Sequence, residues 1–214
     1  MVTNVSEQTL LEGSWLALAQ AGRLLRSAGM VLQSGDPSSA VVLGMFGREE
    51  MGRSRLLRDL SGEVSSGKTF TVKEVARYCG DHVDKQSATA LSTVLRQKSY
   101  DRPSPVTPEA AAAKTKRQPQ DRHDARKASL YVDLKPSGKE WNRPIDVTDE
   151  QARDDLNDAI NDYAGQWDQL MMMGLTPAAH PQTRGPAMHA ALKTMSRPVE
   201  LLGAVDLRRA MGMM

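Results

Sequence analysis

The string Arg77-Tyr78-Cys79-Gly80-Asp81-His82 sets a permanent cation and a proton carrier four residues apart. Histidine is the side chain whose ordinary pKa allows it to give and take a proton near neutral pH. The planar guanidinium of arginine suits phosphate oxygens. Held together, the two have the chemistry to cleave a phosphodiester without a metal. The spacing alone is unspecific, so its weight rests on the elements that carry it.

Those elements read as helices. Ser6 caps a first helix to about Gln33, in which Leu11, Trp15, Leu18, Gly22, Leu25, Gly29 and Leu32 form a seam with gaps of four and three. Its two glycines let a neighbouring helix come close. Ser34-Gly35-Asp36-Pro37 combines a turn with a start signal, Asp36 as cap and Pro37 at the first helical position. A second helix, antiparallel to the first, is expected to about Leu60, followed by a loop from Ser61 to Phe70. Thr71 and Glu74 make a capping box. The third helix is expected to run from there to about Lys98, on a seam of Val72, Ala76, Cys79, Val83, Ala90 and Val94. On one continuous helix Arg77 and His82 stand about 140° apart, so a second copy facing the first is the natural way to bring them together.

Beyond the third helix the chain changes character. Prolines at 103, 105, 108 and 119 mark a loop, and Arg96 to Lys127 carries nine Lys/Arg against four Asp/Glu, a balance of +5. Such a region can track an RNA backbone or dock an acidic face. Leu130 to Leu134 reads as extended and Trp141 as part of a polar loop. Thr148 and Gln151 offer another capping box, opening a helix with a seam of Leu156, Ile160, Tyr163, Trp167 and Leu170. Its other side carries Asp154, Asp158 and Asp162, expected to be solvated. Asp146 to Asp168 holds eight acids and one base, a balance of −7. The domain is expected to span 1–173, with a loop insertion at about 101–147 and a helical tail over 174–214.

The bulk numbers agree with an all-α chain: 40% hydrophobic residues, only 4% aromatics and twelve methionines. A net charge of +2 does not by itself call for nucleic acid. One cysteine excludes an internal disulfide framework, and Cys79 reads as a small buried residue. His123, His180 and His189 lack metal-ligand spacing, so no metal or cofactor is expected. Met171 to Met173 reads as packing. The first residues do not resemble a signal peptide and no run approaches a membrane span, so the expected location is cytoplasmic, without a membrane partner.

Three further segments carry a family resemblance. Leu43 to Arg53 is an apolar run followed by Glu49-Glu50-Met51-Gly52-Arg53; Asp81 to Lys85 sets a lysine three residues after His82; Arg126 to Asp133 is a basic lead into Tyr131-Val132-Asp133. With the Arg-x4-His string, the chain resembles the AbiV-type abortive-infection branch of the HEPN superfamily, over about residues 8 to 170. Arg53 stands where the family more often has lysine. The resemblance implies an all-α, HEPN-like bundle of antiparallel helices acting as a metal-independent endoribonuclease in anti-phage defence. It implies RNA cleavage between two copies of the third helix, with His82 as acid or base and Arg77 stabilising the phosphate. Tyr78, Lys85, Glu50 and Arg53 are the candidate substrate-binding or supporting residues. Glu50 is also placed to orient Arg77 or Arg53, and Glu49, Glu50 and Arg53 fit plain helix salt bridging. Unselective cleavage would make the protein toxic to its host. The expected partners are therefore RNA, a second copy of the chain, and a phage-encoded activator or cognate inhibitor. The alternative is a non-catalytic helical module that binds RNA or a phage protein. Neither the charge pattern nor a helix-turn-helix spacing supports a DNA-binding regulator.

Overall fold

The computed structural model describes residues 4–81, 85, 88, 124, 129–134, 137–174 and 207–209. Its frame is three long helices, α1 (Glu7–Gln33), α2 (Pro37–Ser65) and α4 (Asp149–Gly174), with a short α3 (Val72–Tyr78) between the second and the last. The α1/α2 pair is antiparallel, and α4 packs on both. No helix among the described residues is long and apolar enough to cross a membrane.

Local signals set the first boundaries. The Ser6 hydroxyl accepts the Thr9 N–H at 3.1 Å, and α1 ends at Ser34, after which Gly35 adopts a φ of +87°. Only glycine takes that backbone conformation without strain. Asp36 then accepts the Ser39 N–H at 3.1 Å and Pro37 starts α2. All seven residues of the expected α1 seam are buried. They meet Val41, Met45 and Met51 of α2 and Ala152, Leu156, Ile160 and Tyr163 of α4, forming the main core. Each fully buried Leu or Ile contributes roughly 1.5–3 kcal/mol, enough collectively to hold the layers together. Glycines let them approach: a β-carbon at Gly44 would lie 2.7 Å from Leu156 Cδ2, and one at Gly22 would lie 2.8 Å from the Tyr163 hydroxyl.

Four expectations are corrected. The second helix does not stop near Leu60 but continues to Ser65. Leu57, Leu60 and Val64 extend its apolar face beneath α3, where they join Leu10, Phe70, Val75 and Cys79 in a second cluster, and Gly67, at φ +93°, ends the run. The third helix does not run unbroken to Lys98. It stops at Tyr78, Gly80 N–H turns back to the Arg77 carbonyl at 3.2 Å, and Asp81 is non-helical. Helix resumes by Lys85, whose N–H donates to the Asp81 carbonyl at 3.3 Å. A side chain at Gly80 would crowd the turn, its β-carbon only 2.9 Å from the Ala76 carbonyl oxygen. The seam of α3 also differs, for Val72 and Ala76 face solvent while Val75 and Cys79 face inward. Third, Trp141 is not in a loop: it pairs with Leu134 in a two-residue antiparallel ribbon, β1 (Asp133–Leu134) with β2 (Trp141–Asn142).

Last, the acidic side of α4 is not wholly solvated. Asp154 and Asp158 are exposed, but Asp162 is buried. The capping boxes at Thr71/Glu74 and Thr148/Gln151 both form, each side chain meeting the other residue's backbone N–H. The readings of Val83, Ala90 and Val94, of the basic stretch 96–123, of Arg126 and Lys127, and of the tail over 175–206 fall outside the described residues. So do the side chains of Trp167, Leu170 and Met171 to Met173.

Candidate functional site

The turn from Arg48 to Arg53 on α2 faces two ways. Successive residues on a helix rotate by about 100°, so neighbours in sequence serve different surfaces. Arg48 points to α4. Its Nη1 meets Asp155 Oδ1 at 2.6 Å, its Nη2 donates to the Asp155 carbonyl at 2.8 Å, and Nε stands 3.6 Å from Asp162 Oδ2. Burial opposes this charge, yet Asp155, Asp162 and Asp158 together hold the guanidinium pKa above its ordinary value. Nearly three turns on, Arg58 Nη2 donates to the amide oxygen of Gln166 at 2.9 Å, so α2 and α4 share a polar seam beside the apolar core.

The other side of the turn meets the segment that follows α3. Glu49 Oε2 lies 3.8 Å from Lys85 Nζ, and both side chains are almost fully buried. Gly52 lies directly against Lys85. A β-carbon on Gly52 would overlap the Lys85 carbonyl and stand 2.7 Å from its Cα. Glu50 pairs with Arg53 at 3.2 Å at the edge of this contact, with Arg53 the more exposed partner. Burial pushes the Glu50 carboxyl above its ordinary pKa, while Arg53 and Lys85 pull the other way. Cys79 completes the group. Burial raises its thiol pKa, and Arg53, Lys85 and Glu50 are the charges it feels.

Arg77 and Tyr78 emerge beside this cluster. Both are exposed, on the last turn of α3, immediately before the buried Cys79. The negative end of a helix favours a cation there. Further back, Glu74 is held below the usual carboxylate range by hydrogen bonds from the Thr71 backbone and hydroxyl, with Arg77 adding to the effect. His82 lies outside the described residues, between Asp81 and Lys85.

The structure thus brings Glu50, Arg53, Lys85 and Cys79 together and leaves Arg77 and Tyr78 at the solvent edge of the same corner. Glu49 forms the buried pair with Lys85, and Glu50 takes Arg53. Among the described residues no group of three or more His, Cys, Asp and Glu is placed to hold a metal ion. Sequence reasoning passed over Arg48 with Asp155 and Asp162. A signal was present: Arg48 continues the buried spacing of Val41, Gly44, Met45 and Met51, and Asp155 and Asp162 are two turns apart on one helix.

No curated protein and no solved structure matches the chain. The family model described as AbiV, of the HEPN type, matches residues 9–163, from the first turns of α1 to Tyr163 of α4. That span takes in α1, α2, α3, the corner between Cys79 and Lys85, and the α4 carboxylates that hold Arg48. The chain belongs to the AbiV family of HEPN domains.

Proposed function

We propose that this chain is a metal-independent endoribonuclease of abortive-infection defence, working through Arg77 and His82. The observation that carries the reading is the exposed Arg77 at the end of α3, with the chain turning at Gly80 before His82, in an AbiV-type HEPN domain. The turn removes the objection that one continuous helix would hold Arg77 and His82 on diverging sides. In the reaction the imidazole of His82 takes the proton of an RNA 2′-hydroxyl, and that oxygen attacks the adjacent phosphorus. The 5′-oxygen leaves and is protonated, giving a 2′,3′-cyclic phosphate and a 5′-hydroxyl. Arg77 neutralises charge that builds on the phosphate oxygens. DNA, without the 2′-hydroxyl, is not a substrate.

Tyr78 and Arg53, both accessible at the corner, are the proposed contacts to RNA. Val72 and Ala76, one turn apart on α3, leave an apolar strip exposed that a second copy would cover, which supports a homodimer with paired sites.

The test is purified protein with total RNA in EDTA, beside Arg77→Ala and His82→Ala. Cleavage by wild type alone, leaving cyclic-phosphate ends, is the expected outcome. Positioned acid–base catalysis supplies roughly 10²–10⁴-fold, so the His82 variant should lose nearly all activity. A folded His82→Ala protein with full cleavage would overturn the mechanism. RNA left intact by all three proteins would favour a non-catalytic binding module.

A further inference from the structure

We propose that Glu49 and Gly52 of α2 are positioning residues for the catalytic corner, acting through Lys85. The inference rests on the nuclease reading above and assigns Lys85 an internal task in place of a phosphate contact. Its basis is the mode of docking. At Gly52 the backbone of α2 meets the backbone of Lys85 with no room for a side chain between them. Contact between two main chains fixes position more tightly than contact between flexible side chains, because neither surface can adjust by changing rotamer.

Charge fixes the same point a second time. Lys85 is 3% exposed and its ammonium faces the buried Glu49 carboxylate. A buried charge whose partner is removed is strongly disfavoured, so the pair holds only in the docked arrangement. Three residues before Lys85 in sequence comes His82, and six before it comes Cys79, itself buried among Leu10, Leu57 and Leu60. Two described residues that flank His82 in sequence are therefore each docked on α2, Cys79 by an apolar contact and Lys85 by the Glu49–Gly52 lock. Placement of a reacting group is critical: an error of about 1 Å can lower the rate by roughly 10².

Cys79 is the only cysteine in the chain and is buried, so its reaction with a thiol reagent reports on docking without any need for RNA. The experiment follows two readouts, the thiol modification rate and the kcat and KM of RNA cleavage. It uses wild type, Gly52→Ala, Glu49→Gln, Lys85→Met and the pair Glu49→Gln/Lys85→Met. Positioning predicts faster thiol modification in each single variant, with kcat down by about 10²-fold and KM little changed. It also predicts that the double variant, with neither charge left unpaired, recovers thiol protection and much of the kcat.

A direct phosphate role for Lys85 predicts otherwise: the double variant stays as inactive as Lys85→Met, with its thiol protected. That result would overturn the proposal, as would Gly52→Ala with a wild-type thiol rate and wild-type kcat. The two readings fail separately. Wild type that leaves RNA intact while the thiol rates follow the predicted pattern removes the nuclease, and with it the positioning role. Wild type that cleaves, with equal thiol rates and kcat values throughout, removes the lock alone.

Discussion

Replacing Arg48 with methionine should destabilise the protein by about 3–4 kcal/mol, because it strands two carboxylates against a core that cannot hydrate both. The side chain is 1% exposed, and methionine keeps most of its length, so the loss is one of charge and hydrogen bonds more than of packing. The two partners contribute unequally. The Asp155 side chain is 25% exposed and can regain water when its 2.6 Å bond is lost, whereas Asp162, at 4%, cannot. Breaking a buried pair costs about 3–5 kcal/mol, and the partial exposure of Asp155 puts this case in the lower half of that range. For a chain of this size the corresponding fall in melting temperature is about 6–16 °C, at roughly 2–4 °C per kcal/mol. Urea and thermal unfolding followed by circular dichroism measure both quantities. A companion variant, Arg48→Met/Asp155→Asn/Asp162→Asn, removes the stranded charges and should regain most of the loss. An Arg48→Met protein within about 1 kcal/mol of wild type would refute the reasoning, by showing that the network contributes little net stability.

Two other substitutions test the same accounting of buried polar groups. Burial raises the Glu50 carboxyl in the folded chain above its unfolded value, so ionising it works against folding. The stability this group allows is complete below about pH 4.3 and is lost as pH rises through the folded value. Glu50→Gln should therefore melt higher than wild type at pH 7 and no higher near pH 4. A lower melting temperature at pH 7 would mean that the Arg53 pair outweighs the burial. The Tyr163 hydroxyl is buried against Gly22 with no hydrogen-bond partner among the described residues, and burial raises its pKa. Tyr163→Phe should stabilise the protein by about 1 kcal/mol in denaturant unfolding. A loss of stability would show that the hydroxyl is satisfied.

The sequence by itself determined the parts of this protein that depend on near neighbours. The α1 seam, the turn at Gly35, Asp36 as a cap, Pro37 at the start of α2 and both capping boxes follow from residues within one or two turns of each other. Apolar periodicity and local hydrogen bonds are legible there because the partners lie close in the chain. The Arg77–His82 string was also visible as a candidate, since its residue types suggest phosphate chemistry, and the Glu49–Arg53 turn stood out through the family resemblance and its salt-bridge spacing.

Only the tertiary structure decided how those residues divide their work. The pattern of residues 71–98 is compatible with one helix. The break after Tyr78 lies between two contacts, the Cys79 side chain packed against α2 and the Lys85 backbone seated on Gly52, both made between segments far apart in sequence. Charge spacing alone could not say which acid takes which base. Glu49 and Glu50 are adjacent, but a rotation of about 100° sends one to the buried Lys85 and the other to the half-exposed Arg53. Likewise Asp155 and Asp162 differ from the solvated Asp154 and Asp158 in making direct contact with Arg48, 107 residues from Asp155. Helix formation is local and was legible; desolvation is set by what packs on each helix face, and it separates a structural ion pair from an accessible catalytic group.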